Sequence, residues 1–155
     1  MAEDRGPTRT APSALASFAL TLVALGVSAY LTVEHYDSSV TLACPESATI
    51  NCAKVTSSRW SHIGSIPLAL LGLIFFVVMA ILCSPPAWRT RMLDKVRVAG
   101  ALLGVLSVVY LVWVELFKVD AICLWCTVVH ACSVALLGTI LWAVTTRTDT
   151  RLPAD

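Results

Sequence analysis

Cys123 and Cys126 stand three positions apart, in Cys123-Leu124-Trp125-Cys126, where a polar stretch gives way to a long apolar one. A Cys-x-x-Cys is, by spacing alone, a dithiol redox or metal motif. On a helix, positions i and i+3 share a face, so both thiols come within reach of one disulfide. At a helix N-terminus the macrodipole and the unpaired N–H groups favour thiolate, and thiolate is the attacking species in disulfide exchange. A second pair, Cys44 and Cys52, lies upstream in a polar segment with seven residues between. A bond between these two closes a short loop. It reads either as a static staple or as a shuttle that hands electrons inward.

The elements that position these thiols are membrane spans. The chain has 155 residues, 57% hydrophobic and 14% charged, whereas a soluble domain is about a quarter charged. Four apolar stretches stand out: Ala14–Val33, Ile66–Cys83, Val98–Phe117 and Ile122–Val144. Each meets the length of about 17–25 residues needed to cross the hydrocarbon core, and an isolated span must be helical to satisfy its backbone. The fold class is therefore all-α, a four-helix transmembrane bundle. The first stretch is too long for a signal-peptide core and lacks a cleavage site. Net charge is +1, and no basic run with interleaved aromatics points to nucleic acid, so no nucleic-acid partner is expected.

Orientation follows from the basic residues. Arg5, Arg9, Arg89, Arg91, Lys95, Arg97, Arg147 and Arg151 fall on one side, against Lys54, Arg59 and Lys118 on the other. Positive residues favour the cytoplasm. That makes residues 1–13 and 146–155 cytoplasmic tails of a membrane domain over 14–145, with an outer loop at about 34–65. All four motif cysteines then face outside, where disulfides persist. Two dithiols on that face, one at the lipid edge, imply a path for electrons from proteins in water to a carrier in lipid. Zinc held by the four thiolates is the metal alternative. Lipid-edge placement on an oxidising side disfavours it, and no metal is expected.

Further residues carry weaker signals. The long outer loop exceeds ordinary connections and reads as functional. Within it, Trp60 suits an anchor on a short amphipathic helix in the interface. Pro67 suits the first turn of the second helix, and Asp120 the cap of the fourth. Cys83 and Cys132 read as packing residues. Glu115, near the outer end of the third span, is either functional, as ionisable groups in spans often are, or close enough to the interface to reach water. His130 lies one turn below Cys126, placed either to donate to a bound carbonyl oxygen or simply to pack. Trp113 and Trp125 read as belt aromatics or as part of a pocket wall.

Cys44 and Cys52 at their spacing, Ser57-Ser58-Arg59-Trp60, and the later Cys123-Leu124-Trp125-Cys126 together resemble the vitamin K epoxide reductase family in its bacterial disulfide-forming branch. The resemblance covers about residues 15–145. The DsbB-type quinone reductases also have four spans and two cysteine pairs, but in the reverse order. The resemblance implies that Cys126 stands beside a quinone ring, that Cys123 exchanges with Cys52, and that Cys44 meets the thiol of a separate DsbA-like or thioredoxin-like protein. It implies that Ser58 lies near the quinone on a short covering helix. The vertebrate enzymes carry asparagine where this chain has Gly64 and tyrosine where it has His130. Plain quinone reduction is therefore expected, with menaquinone favoured over ubiquinone, in the cell (inner) membrane. The alternatives are a quinone epoxide reductase and a non-catalytic scaffold or metal-binding protein.

Overall fold

The computed structural model describes residues 11–37 and 39–149. Over these residues the chain forms helices α1 (Ala11–Tyr36), α2 (Cys52–Thr56), α3 (Leu68–Cys83), α4 (Leu93–Val114) and α5 (Leu124–Asp149). Four of them are the apolar stretches, and the chain is an all-α transmembrane bundle. Helical segments within Pro12–Tyr36, Leu93–Val119 and Leu124–Thr146 are long and apolar enough to cross a membrane. α3 is shorter, at 16 residues, or about 24 Å at 1.5 Å per residue. It starts later than the apolar stretch because Ile66–Pro67 pairs antiparallel with His62–Ile63 in a small hairpin. Pro67, at φ −65° and ψ 139°, is thus the cap of α3, outside its first turn. Helix continues into both expected tails, to Ala11 and Asp149; residues 1–10 and 150–155 lie outside the described residues.

α1 packs along α3 and α5, and α4 along α5. Outward faces carry exposed apolar side chains such as Leu15, Ile74, Val78, Leu106 and Trp142, which is the surface a bilayer requires. Cys83 is buried with Met79, Trp88 and Leu136, and Cys132 with Ala24 and Phe76, so both pack as expected. α4 approaches α3 through small residues spaced four apart. A Cβ at Gly100 would come within 2.8 Å of Met79 Sδ, and one at Gly104 within 3.1 Å of Phe75 Cζ. Small residues at this spacing let membrane helices close on each other.

The end of the bundle away from the cysteine loop is fastened by Arg97, which is fully buried. Its Nε donates to the Leu82 carbonyl at 2.7 Å and its Nη2 to the Ala87 carbonyl at 2.5 Å. Nη1 pairs with Asp94, and the guanidinium stacks 4.3 Å from the Trp88 ring centroid. One of the charges counted for orientation is therefore a structural plug that satisfies the Leu82 carbonyl at the end of α3 and ties the following turn to α4.

Candidate active site

The cysteine loop is registered against α5 by one short bridge. Ile50 pairs in parallel with Ile122. The Asn51 N–H donates to the Ile122 carbonyl at 3.1 Å, and the Ile122 N–H to the Thr49 carbonyl at 2.9 Å. Asn51 also caps α2, its Oδ1 accepting from the Lys54 N–H at 2.8 Å. The chain entering Cys52 thus runs beside the chain entering Cys123. Both side chains are enclosed, at 1% and 0% exposure. Cys44 and Cys52 are joined in a disulfide, with Cα atoms 6.2 Å apart, while Cys123 and Cys126 are free thiols.

α4 runs into a π-helical turn at Glu115–Val119 that ends at Asp120, in the left-handed region at φ 52°. Asp120 does not cap α5, contrary to expectation. Its carbonyl instead accepts from Lys54 Nζ at 3.1 Å. The cap is Cys123 itself, whose Sγ accepts from the Cys126 N–H at 3.2 Å. The Thr127 N–H and hydroxyl both donate to the Cys123 carbonyl at 2.9 Å. A sulfur in the cap position faces the unpaired N–H groups of the first turn, the placement that activates thiols.

Below the loop lies a cavity of about 370 Å³. Its walls are largely apolar, with Leu31, Leu71, Phe75 and Leu111 among them, and its polar points include Ser58, Glu115, Cys126 and His130. Cys126 lines this cavity and Cys123 does not. The roof is α2 and a 3-10 turn at Arg59–Ser61, followed by the hairpin. Ser58 precedes that turn, and its hydroxyl makes no capping bond. Trp60, expected as an interface anchor, is half-buried in the roof against Val114, Val119 and Ala121. The roof meets α1 where His62 Nε2 lies 3.4 Å from His35 Nε2. Gly64, at φ +65°, forms the two-residue hairpin turn, where a positive φ favours glycine; it does not line the cavity.

One feature was missed from the residues alone. The segment before Cys44 is latched to the bundle by Tyr30 and Trp125. Tyr30 Oη donates to the Thr41 carbonyl at 3.3 Å and accepts from the Ala43 N–H at 3.0 Å. Trp125 Nε1 donates to the Ala43 carbonyl at 3.1 Å, and the two rings meet edge-on at 5.3 Å. Trp125 is therefore a fastener for the loop. Trp113 sits on the exposed face beside Tyr110, with the Lys118 ammonium 5.0 Å from its ring, as a belt aromatic would. An aromatic inside the Cys-x-x-Cys was the one available signal for the latch, but its partner is a backbone group 82 residues away.

Thiols at a membrane helix start, beside a second cysteine pair and over an apolar cavity, define a membrane-embedded oxidoreductase. The comparison with known proteins gives the class its family. Residues 15–141 match the model of the vitamin K epoxide reductase family, and the chain belongs to that family. It is 28% identical over 137 residues to mouse vitamin K epoxide reductase complex subunit 1, covering 79% of this chain and 81% of that protein. Quinone-type compounds are the general substrates of such proteins.

Proposed function

We propose that the protein is a quinone-linked thiol–disulfide oxidoreductase that reoxidises a thioredoxin-like (DsbA-like) protein. The observation that carries this reading is the division of the dithiol between two environments. Cys126 lines the apolar cavity, while Cys123 is enclosed behind it, beside the strand that leads into Cys52. Cys44 is the more accessible end of the loop disulfide. A partner thiolate attacks Cys44 and frees Cys52; the partner's second thiol then closes the partner disulfide and releases Cys44. Cys52 attacks Cys123 of the oxidised pair and frees Cys126. Cys44 closes back on Cys52 and leaves Cys123 and Cys126 reduced. That pattern of one disulfide and two free thiols is the one described above. Two electrons and two protons then leave the pair for the acceptor.

A quinone, when bound, supplies the two-electron acceptor. The cavity suits it: its volume falls within the range of about 300–1,000 Å³ for small-molecule sites, which are apolar with a few polar points. Ser58 and His130 would face its oxygens, and Cys126 its ring. Menaquinone is the acceptor we favour. The charge bias supports tails in the cytoplasm and a cysteine loop outside the cell membrane.

The name of the mouse relative favours a second reading, quinone epoxide reduction by the same thiols. Against it stands His130 where that branch has tyrosine, together with Gly64, which serves the hairpin turn. Purified protein in detergent, with dithiothreitol as donor, separates the two. We expect turnover of a menaquinone analogue, none of its epoxide, and none of either after Cys126→Ala or Cys123→Ser. Substantial quinone turnover by either variant would sink the assigned thiols.

A further inference from the structure

We infer that Glu115 is the proton carrier between the Cys123–Cys126 pair and the acceptor in the cavity; the inference rests on the thiol–quinone reading above. Glu115 is 6% exposed at the end of an apolar span, opens the π-helical turn and lines the same cavity as Cys126. Its carboxyl lies against the backbone N–H of Cys123, close enough to both sulfurs of the pair to interact with them electrostatically. Among the described residues no cation pairs with it. Lys118 lies over Trp113 and Lys54 on the Asp120 carbonyl. The turn itself is closed by the Glu115 backbone carbonyl, which accepts from the Ala121 N–H at 3.2 Å, a bond any residue would provide. A buried, unpaired carboxyl is costly in an apolar setting, and packing does not account for it.

The chemistry accounts for it. Oxidation of the pair breaks two S–H bonds, forms one S–S bond, and sends two electrons and two protons to the acceptor, whose two oxygens become hydroxyls. The carboxylate takes the proton of one thiol as that sulfur becomes the attacking thiolate. The proton of the other thiol goes to one acceptor oxygen. Glu115 gives up its own proton to the second oxygen and returns to carboxylate. The other titratable groups lining this space are the Cys126 thiol, His130 from α5 and His35 from α1, while α3 contributes none; Cys123 lies behind Cys126, outside the lining.

Glu115→Gln and Glu115→Asp, purified in detergent, test the role with two readouts. One is quinone reduction driven by dithiothreitol; the other is alkylation of the reduced pair by iodoacetamide with no quinone present. Glutamine keeps an acceptor for the Cys123 N–H but cannot carry the proton. We expect kcat to fall roughly 100-fold, the lower end of acid–base effects, with KM for the dithiol little changed. The pair should alkylate at least as fast as in the wild type, because a negative charge beside the thiolate is gone. Aspartate should recover part of the loss. The inference is overturned alone if the wild type is active and Gln matches it, if Asp recovers nothing over Gln, or if alkylation falls in step with turnover. A wild type inactive with quinone overturns both this inference and the reading beneath it.

Discussion

Tyr30→Phe removes one oxygen atom, and with it both hydrogen bonds that tie residues 41–43 to α1, at 3.3 Å and 3.0 Å. A net hydrogen bond contributes about 0.5–1.5 kcal/mol. The site is exposed and one bond is long, so the pair is worth about 1–2 kcal/mol. The Trp125 bond to the Ala43 carbonyl and the edge-on ring contact remain. The segment carrying Cys44 should therefore open about 5–30-fold more often. Hydrogen exchange at the Ala43 amide reads this directly, because that N–H is bonded to Tyr30 itself. Oxidation of a thioredoxin-like substrate, which depends on how Cys44 is presented, should fall by a similar factor. Quinone reduction driven by dithiothreitol should hold, because a small dithiol does not depend on the position of Cys44. Trp125→Phe should add a comparable effect, and the double variant measures the coupling within the latch. An unchanged exchange rate at Ala43, or equal losses with both donors, would refute the reasoning.

Two other outcomes follow from the structure. Cys44→Ser should block oxidation of the protein partner yet spare dithiothreitol; because Cys123 is fully enclosed, the small donor reaches the pair through the cavity at Cys126, and loss with both donors would argue against a shuttle. Arg97→Leu orphans the Leu82 carbonyl, removes a second donor from the Ala87 carbonyl and breaks the ion pair with Asp94. It should cost about 2–4 kcal/mol, seen as a lower Tm in detergent, and Lys should not restore it because an ammonium cannot reproduce the fork and the stacking; an unchanged Tm would show the plug to be dispensable.

The spans and the chemistry were legible along the chain for a simple reason. Crossing hydrocarbon demands long apolar helices, so hydropathy alone reveals them, and a Cys-x-x-Cys at a helix start marks a candidate dithiol by residue type and spacing. The two cysteine pairs, the start of a helix at the Cys-x-x-Cys and the all-α class all follow from such one-dimensional constraints. Element ends were less legible. Asp120 looked like a cap by residue type, but the π-helical turn drove it into a left-handed conformation and left the cap to Cys123. α3 was shortened because a hairpin claimed Ile66 and Pro67.

Which groups meet was decided by packing alone. The bridge at Ile50 and Ile122 registers the loop cysteines against the membrane pair. The latch joins Tyr30, Ala43 and Trp125, and the Glu115 carboxyl comes to rest against Cys123. Residue type says what a group can do. Its partner depends on how segments far apart in the chain close on one another, as Tyr30 and Trp125 do on residues 41–43, and those contacts leave no periodic mark in the sequence.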